Sequence, residues 1–204
     1  MHALLLAFVL DLVVAQPAAT SGDAPTCVTS GDTTVCGYHC TTSFGRTACA
    51  QTPEGLCVAT TSRVVCWDPP PDVRRLMQTR DDLEAPRCMT GLGRGACGFH
   101  CTEEDQKIAC ADTPMGACGW RFGKVRCWDP PPEVRWQMEA QNDLEPAQCE
   151  RTLTDVVCGY HCVDTADEVR CASSPWGVCE RHFDELACWD PAPVSQPQPC
   201  ADRR

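Results

Sequence analysis

Apolar residues are distributed along the chain in two different patterns. Over most of its length, single branched residues stand two positions before a cysteine; they are Val64, Ile108, Val125, Val156, Val169 and Leu186. In two stretches without cysteine, apolar residues recur on one side of a helical projection: Val73, Leu76, Met77 and Leu83, and then Val134, Met138 and Leu144. The first pattern predicts short strands, and the second predicts two short helices.

The cysteines follow one rule. The pattern C-x8-C-x3-C-x8-C-x7-C-x8-C occurs three times with a period of 61 residues, and Cys200 alone stands outside it. The three copies contain Cys27, Cys36, Cys40, Cys49, Cys57 and Cys66; Cys88, Cys97, Cys101, Cys110, Cys118 and Cys127; and Cys149, Cys158, Cys162, Cys171, Cys179 and Cys188. Spacing without insertions indicates three tandem modules, each able to close three disulfides.

Each C-x8-C segment has the spacing of a stapled β-hairpin. In the segment from Cys118 to Cys127, a two-residue turn at Phe122-Gly123 places the two cysteines opposite each other, about 4.5 Å apart between Cα atoms. Turn-forming residues hold the same two positions in five other segments: Gly31-Asp32, Phe44-Gly45, Leu92-Gly93, Ala166-Asp167 and Phe183-Asp184. This geometry favours disulfides between the first and second, third and fourth, and fifth and sixth cysteines of a module. A meander in which disulfides join non-adjacent strands is the alternative.

A proline turn separates the second and third segments of every module. Thr or Ser, then Pro, then Gly two residues after the Pro predicts a type I turn. The residue before the Gly changes while its frame is fixed, and it is Glu54, Met115 or Trp176. A rigid turn with a variable tip is what a recognition surface would present, although a solvent-facing tip also tolerates variation.

Every module ends in Trp-Asp-Pro, and the Trp is expected to cover a disulfide and supply most of a small core. More prolines and an acidic residue follow the first two modules, which is typical of a helix start, and Pro86 and Pro146 are expected to stop these helices. A flexible spacer is the alternative. We expect each helix to pack on a neighbouring module and fix the angle between modules.

The predicted fold is a small, disulfide-rich, mainly β protein: three tandem six-cysteine modules of short β-hairpins joined by short helical linkers. The boundaries are a signal peptide at 1–15, an N-terminal spacer at 16–26, modules at 27–71, 88–132 and 149–190, helical linkers at 72–87 and 133–148, and a Pro-rich disordered tail at 191–204.

The start of the chain and its cysteine content both indicate an oxidising compartment. Residues 3–10 are apolar but too few to span a bilayer, and Val13 and Ala15 suit signal-peptidase cleavage, although Asp11 interrupts the apolar run. Small modules with many cysteines depend on disulfides, which persist outside the cytosol. The mature protein is therefore expected to be secreted or in the periplasm or cell envelope, and not membrane-spanning after cleavage.

The net charge of −11 argues against nucleic acid or an anionic membrane as partner, because no basic cluster or stripe is evident along the sequence. The charge is uneven, since the third module carries nine acidic residues against three arginines.

The strongest candidate for chemistry is a histidine beside two cysteines in Cys-Gly-aromatic-His-Cys, at His39, His100 and His161. Such a set could begin a zinc or copper site. Oxidised, evenly paired cysteines and one such histidine per module favour a structural histidine, so no metal or other cofactor is expected. No phosphate loop, nucleophile elbow or zinc-protease helix is present, and no catalytic residue is assigned.

The motifs Cys-Gly-Tyr-His-Cys, Cys-Ala-x-Thr-Pro-x-Gly-x-Cys and Cys-Trp-Asp-Pro together resemble short cysteine-rich modules of secreted proteins from GC-rich bacteria. The resemblance covers each module and excludes the linkers and the tail. That group has no assigned activity, so the resemblance implies an oxidising compartment and a disulfide fold only.

The sequence therefore predicts a non-catalytic extracellular or envelope protein that binds a protein or glycan at the cell surface, with Glu54, Met115 and Trp176 as recognition tips. The alternatives are a multi-headed protease inhibitor with contacts at these same residues, and a metal-binding Cys/His protein. Cys200 is left without a partner inside the modules, so it predicts a free thiol or a disulfide-linked homodimer.

Overall fold

The computed structural model describes residues 24–192. These residues form fifteen strands and two helices, and each module repeats one order of elements. The first module contains β1 (Thr26–Ser30), β2 (Thr33–Ser43), β3 (Arg46–Ala50), β4 (Leu56–Ala59) and β5 (Val64–Trp67). The second contains β6 (Arg87–Gly91), β7 (Arg94–Glu104), β8 (Lys107–Ala111), β9 (Ala117–Arg121) and β10 (Lys124–Trp128). The third contains β11 (Gln148–Arg151), β12 (Val156–Asp164), β13 (Val169–Ala172), β14 (Val178–His182) and β15 (Glu185–Trp189). Helices α1 (Pro71–Thr79) and α2 (Pro132–Gln141) connect the modules.

The hairpin prediction and the disulfide pairing are both confirmed. Nine disulfides join the two cysteines of each C-x8-C segment, with Cα atoms 4.0–4.1 Å apart. In the antiparallel register the cysteines lie directly opposite each other, as for Cys27 with Cys36 and Cys118 with Cys127. Because the alternating pattern of an antiparallel pair brings such residues closest, the spacing by itself selects the pairing.

A sharp corner in the long middle strand folds the first two hairpins of a module against each other. In β2 the pairing with β1 ends at Gly37, and the pairing with β3 shifts register between Tyr38 and Thr41. At the corner the histidine has a left-handed backbone, with φ of 47° at His39, 46° at His100 and 47° at His161. The two turns of a module therefore meet although they lie at opposite ends of one strand, and Ser30 Oγ donates to the Gly45 carbonyl over 3.0 Å.

The tryptophan that ends a module packs on the next module. The Trp67 ring lies edge-on to Phe99 at 5.8 Å between centroids, and Trp128 lies edge-on to Tyr160 at 5.9 Å. Trp67 also donates its indole N–H to Asp112 over 2.9 Å. The expected core packing is confirmed for Trp67 and Trp128, but their aromatic partner belongs to the following repeat. Trp189, which contacts no following module within residues 24–192, is 65% exposed.

Both linker helices form, and each begins at a proline whose missing N–H needs no partner in the first turn. They are shorter than predicted, since α1 ends seven residues before Pro86. Arg80 lies just past the end of α1 and forms an ion pair with Asp82. The predicted apolar side is confirmed: Val73 packs with Phe99 of the second module, and Met138 with Tyr160 of the third.

The two helices run in the same direction and are joined by polar contacts. Arg75 makes a bidentate pair with Glu139, with N–O distances of 3.2 and 2.6 Å. Arg135 donates to Asp72 over 2.8 Å, and Arg80 donates to Asn142. Burial opposes ionisation of the Asp72 carboxyl, but the Arg135 guanidinium outweighs it and lowers the pKa of Asp72 below its ordinary value.

At each interface between modules a large residue of one module meets a small residue of the other, and the large residue is on opposite sides at the two interfaces. A Cβ built on Gly95 would lie 3.3 Å from Val58 Cγ1, and one built on Gly119 would lie 2.9 Å from Val156 Cγ1. Val58 and Gly119 occupy equivalent repeat positions, as do Gly95 and Val156. Each interface thus pairs one valine with one glycine, but on opposite sides. Tight contact between successive modules depends on this size match.

The predicted signal peptide, most of the N-terminal spacer, nearly all of the Pro-rich tail and Cys200 lie outside the described residues. Within residues 24–192, neither helix has the length and apolar character needed to cross a membrane.

Replacing Gly119 with Val should lower the free energy of unfolding by about 1–3 kcal/mol, because the added methyl groups meet Cys149 and Val156. Adding Val156→Gly should recover most of this loss by recreating the arrangement of the first interface. Guanidinium unfolding with disulfides intact measures both, with Val156→Gly alone as the control. A double variant no more stable than Gly119→Val would contradict the size match.

Asp72→Asn should remove the ion pair between Asp72 and Arg135 and lower the free energy of unfolding at neutral pH by up to about 1 kcal/mol. Since the folded pKa of Asp72 is lowered, the pair stabilises the fold above the unfolded pKa of about 3.9 and this contribution is lost as pH falls through the folded value. The difference between wild type and variant should therefore vanish in acid. A difference independent of pH would argue against an electrostatic origin.

Candidate functional site: the hairpin tips

The three predicted recognition tips do not form an exposed surface. Met115 is 2% exposed and belongs to the core cluster that includes Leu76 and Met138. Glu54 accepts a hydrogen bond from Gln78 of α1 over 2.6 Å, and Trp176 is partly buried against the same core cluster. The prediction of a solvent-facing tip is wrong for Met115, because α1 and α2 pack across the proline turn of the second module.

The aspartate of each Trp-Asp-Pro holds the proline turn, a role that sequence reasoning missed. Asp129 accepts hydrogen bonds from the Thr113 N–H over 2.8 Å and from the Thr113 hydroxyl over 2.7 Å. Asp68 and Asp190 make the equivalent contacts. Burial opposes ionisation of Asp190, but hydrogen bonds from the Ser173 and Ser174 region outweigh it and hold its pKa below the ordinary value. The turn is a rigid internal support.

The corner histidines support the same turn. Nε2 of His39, His100 and His161 donates to the carbonyl of the proline in the turn, over 2.8–2.9 Å. Both cysteines that flank each histidine are in disulfides, so their sulfurs cannot act as thiolate ligands. Within the described part of the chain, no three His, Cys, Asp or Glu side chains come together as a metal site.

The nine hairpin turns form one row, which we call the tip edge. Tips 1 to 9 are Gly31-Asp32, Phe44-Gly45, Thr61-Ser62, Leu92-Gly93, Asp105-Gln106, Phe122-Gly123, Leu153-Thr154, Ala166-Asp167 and Phe183-Asp184. Hydrogen bonds between tip residues or residues within two positions of them join six of the eight neighbouring pairs, namely tips 1–2, 2–3, 3–4, 5–6, 6–7 and 8–9. Within one module the corner aligns tips 1 and 2, and between modules Ser62 Oγ donates to the Gly93 carbonyl over 3.0 Å.

Large apolar side chains are exposed along this edge. Five of the seven exposed large hydrophobic residues in the described chain are tip residues: Phe183 at 85%, Phe44 at 79%, Leu92 at 75%, Phe122 at 68% and Leu153 at 63%. The other two, Val178 and Trp189, form a cross-strand pair at the end of the last module. The concentration of exposed apolar side chains at one edge makes this edge the candidate interaction surface.

Three of these residues also hold an unfavourable backbone conformation. Phe44, Phe122 and Phe183 have φ of 48°, 45° and 55°. The left-handed region costs a bulky L-residue about 1–2 kcal/mol, whereas Gly, Asn and Asp adopt it readily. The ring contacts at these positions are at the surface: the Arg121 guanidinium lies 4.4 Å from the centroid of the Phe122 ring, and His182 lies edge-on to Phe183 at 4.5 Å between centroids. No buried contact and no requirement of the turn geometry explains a phenylalanine at these positions. The sequence carried this signal, because Phe stands where a two-residue hairpin turn favours Asn or Asp.

The tip edge is also polarised in charge. An exposed arginine directly follows each of tips 2, 3 and 4, namely Arg46, Arg63 and Arg94. The sequence suggests no basic cluster, but folding gathers these three arginines from separate segments onto consecutive tips. Tips 7 to 9 are acidic, and Asp155 beside tip 7 has a lowered pKa because the Val156 N–H, Lys124 and Arg126 favour its carboxylate.

One other concave surface is a groove between the helices, lined by Asp72, Arg75, Arg135, Trp136 and Glu139. Its charged side chains pair with one another across the helices. The charged groups of the groove are therefore already engaged with one another.

Comparison with known proteins adds no assignment. No protein-family model matches the chain, and no curated protein and no solved structure is significantly similar to it. The tip edge is thus identified by its own physical features.

Phe44→Asn should leave stability unchanged or raise it by up to about 1 kcal/mol, because Asn adopts the left-handed conformation at lower cost. The same holds for Phe122 and Phe183, which makes the triple variant a folded protein without aromatic tips. Thermal unfolding with disulfides intact checks this. A loss of more than about 1 kcal/mol would show that these rings stabilise the fold.

Proposed function

We propose that the protein is a non-catalytic binding protein of the extracellular space or cell envelope, with the tip edge as its contact surface. Nine disulfides indicate an oxidising compartment, and a small disulfide-rich β fold is compatible with a structural or binding role outside the cytosol. Export by the N-terminal apolar segment is part of this proposal.

The observation that carries the proposal is the phenylalanine at tips 2, 6 and 9. Each ring is exposed and each backbone is in the left-handed region, so these residues weaken both solubility and turn stability. Unfavourable local choices that are not compensated inside the fold are typical of binding sites. Their common position on one edge makes a single surface out of three distant segments.

The chemistry of the edge favours a protein as the partner over a glycan. Aromatic and arginine side chains are the residues that contribute most to protein interfaces, and here both occur on neighbouring tips. Phe44 stands two residues before Arg46, and Leu92 stands two residues before Arg94. A partner with apolar pockets and carboxylates beside them would match this surface.

The inhibitor alternative gains no support. A protease-binding loop must present its contact residue to the enzyme, and Met115 is buried while Glu54 is held by Gln78. The metal alternative gains none either, because both sulfurs beside each histidine are already in disulfides, each with the other cysteine of its own hairpin.

Affinity capture tests the proposal. Wild-type protein should retain one or more proteins from a surface extract of the organism that makes it, and the Phe44→Asn, Phe122→Asn, Phe183→Asn variant should lose them. Each buried Phe contributes about 1.5–3 kcal/mol to an interface, so affinity should fall more than about a hundredfold.

Val178→Thr is the matched control, because Val178 is an exposed apolar residue at 52% and lies off the tip edge. It should retain the same proteins as the wild type. If the triple variant captures the same set as the wild type, the tip edge is not the binding surface.

A further inference from the structure

We infer that the tip edge binds a second copy of this chain, with the two edges antiparallel and related by a two-fold axis. This inference rests on the proposed function, since it names the partner of that same surface. It is carried by the order of charged and apolar residues along the nine tips.

Tips 2 to 4 and tips 8 to 9 carry charges of opposite sign, and beyond them tip 1 carries the exposed Asp32. Arg46, Arg63 and Arg94 are exposed at tips 2 to 4, and none of them makes an ion pair with any of residues 24–192. At the other end Asp167 lies at tip 8 and Asp184 at tip 9, also exposed and without an ion pair in that part of the chain. Folding has therefore gathered two sets of unpaired charges on one surface.

In the antiparallel register that opposes these charges, tip 2 meets tip 9, tip 3 meets tip 8, tip 4 meets tip 7 and tip 5 meets tip 6, and tip 1 is left without a partner tip. Each of these four pairings brings at least one acidic residue opposite a basic one. At tips 2 and 3, Arg46 faces Asp184 and Glu185, and Arg63 faces Asp167. At tips 4 and 5, Arg94 faces Asp155, and Asp105 faces Lys124. The two-fold axis repeats each pairing, as an isologous interface requires.

The apolar tips match in the same register. Phe44 at tip 2 meets Phe183 at tip 9, and Leu92 at tip 4 meets Leu153 at tip 7. The Phe122 side chains of the two copies lie on tips beside the axis. Rings that are 79% and 85% exposed in one chain would cover each other, which removes apolar surface from water.

Repulsion between like charges disfavours the parallel arrangement, in which each tip meets the same tip of the other copy. In a parallel arrangement, tips 2 to 4 would bring arginine against arginine, and tips 8 and 9 would bring aspartate against aspartate. Like charges in contact disfavour one arrangement while opposite charges favour the other, so the charge pattern selects the orientation as well as the partner. This dimer does not need the disulfide between chains that the sequence predicts at Cys200.

Sedimentation velocity of the Cys200→Ser protein tests the inference without a covalent contribution. The protein should show a concentration-dependent dimer that weakens at about 1 M salt, where charges are screened within about 3 Å. Arg63→Glu should weaken the dimer at least about tenfold, and so should Asp167→Arg. The double variant should restore affinity to within about threefold of the starting protein, because each new Glu then faces a new Arg.

The outcomes separate this inference from the proposed function. A protein that stays monomeric at about 200 μM overturns the dimer, since its Kd would exceed that of a typical weak specific complex. If such a monomer still captures a partner through its phenylalanine tips, the proposed function stands. A dimer in which the charge swap gives no rescue, or which Val178→Thr disrupts, overturns the antiparallel tip-to-tip arrangement.

Discussion

The structure depends on the corner at the histidine between the second and third cysteines of each module. A regular antiparallel strand of eleven residues would carry its two turns to opposite ends of a sheet. At His39 the backbone enters the left-handed region, and the disulfides of Cys36 and Cys40 on either side fix both arms. The histidine ring then donates to the Pro53 carbonyl and ties the corner to the third hairpin. All nine turns reach one edge because this bend occurs three times.

The hydrophobic core is arranged between modules more than inside them. A module of about 42 residues has too little apolar surface for a core of its own. Disulfides hold each hairpin, and Trp67 and Trp128 bury their edges against the aromatic residue of the following repeat. The helices cover these contacts and join each other through Arg75–Glu139 and its neighbours. The three modules are therefore one cooperative unit in packing, although their sequences repeat as separate units.

Sequence reasoning succeeded where the determinant is local. The C-x8-C spacing and its central turn determine the hairpin and its disulfide within ten residues, and a proline with an acidic neighbour determines the helix start. It failed where the determinant lies in another repeat: nothing near Met115 indicates that two helices will cover it, and nothing near Trp67 identifies Phe99 as its partner. The tip edge required the corner, whose register shift leaves no periodic signature. Its residues were nevertheless visible, since Phe at a left-handed turn position is an anomaly in the sequence itself.

The reversed valine and glycine at the two module interfaces limit how this chain could change during evolution. Deleting the second module would place Val58 against Val156, two large residues where only one fits. Duplicating it would place Gly119 against Gly95 and leave a void. In the third module the position of Val58 and Gly119 is held by Glu180, a charged residue. Loss, duplication or exchange of a module by recombination therefore requires compensating substitutions at these positions.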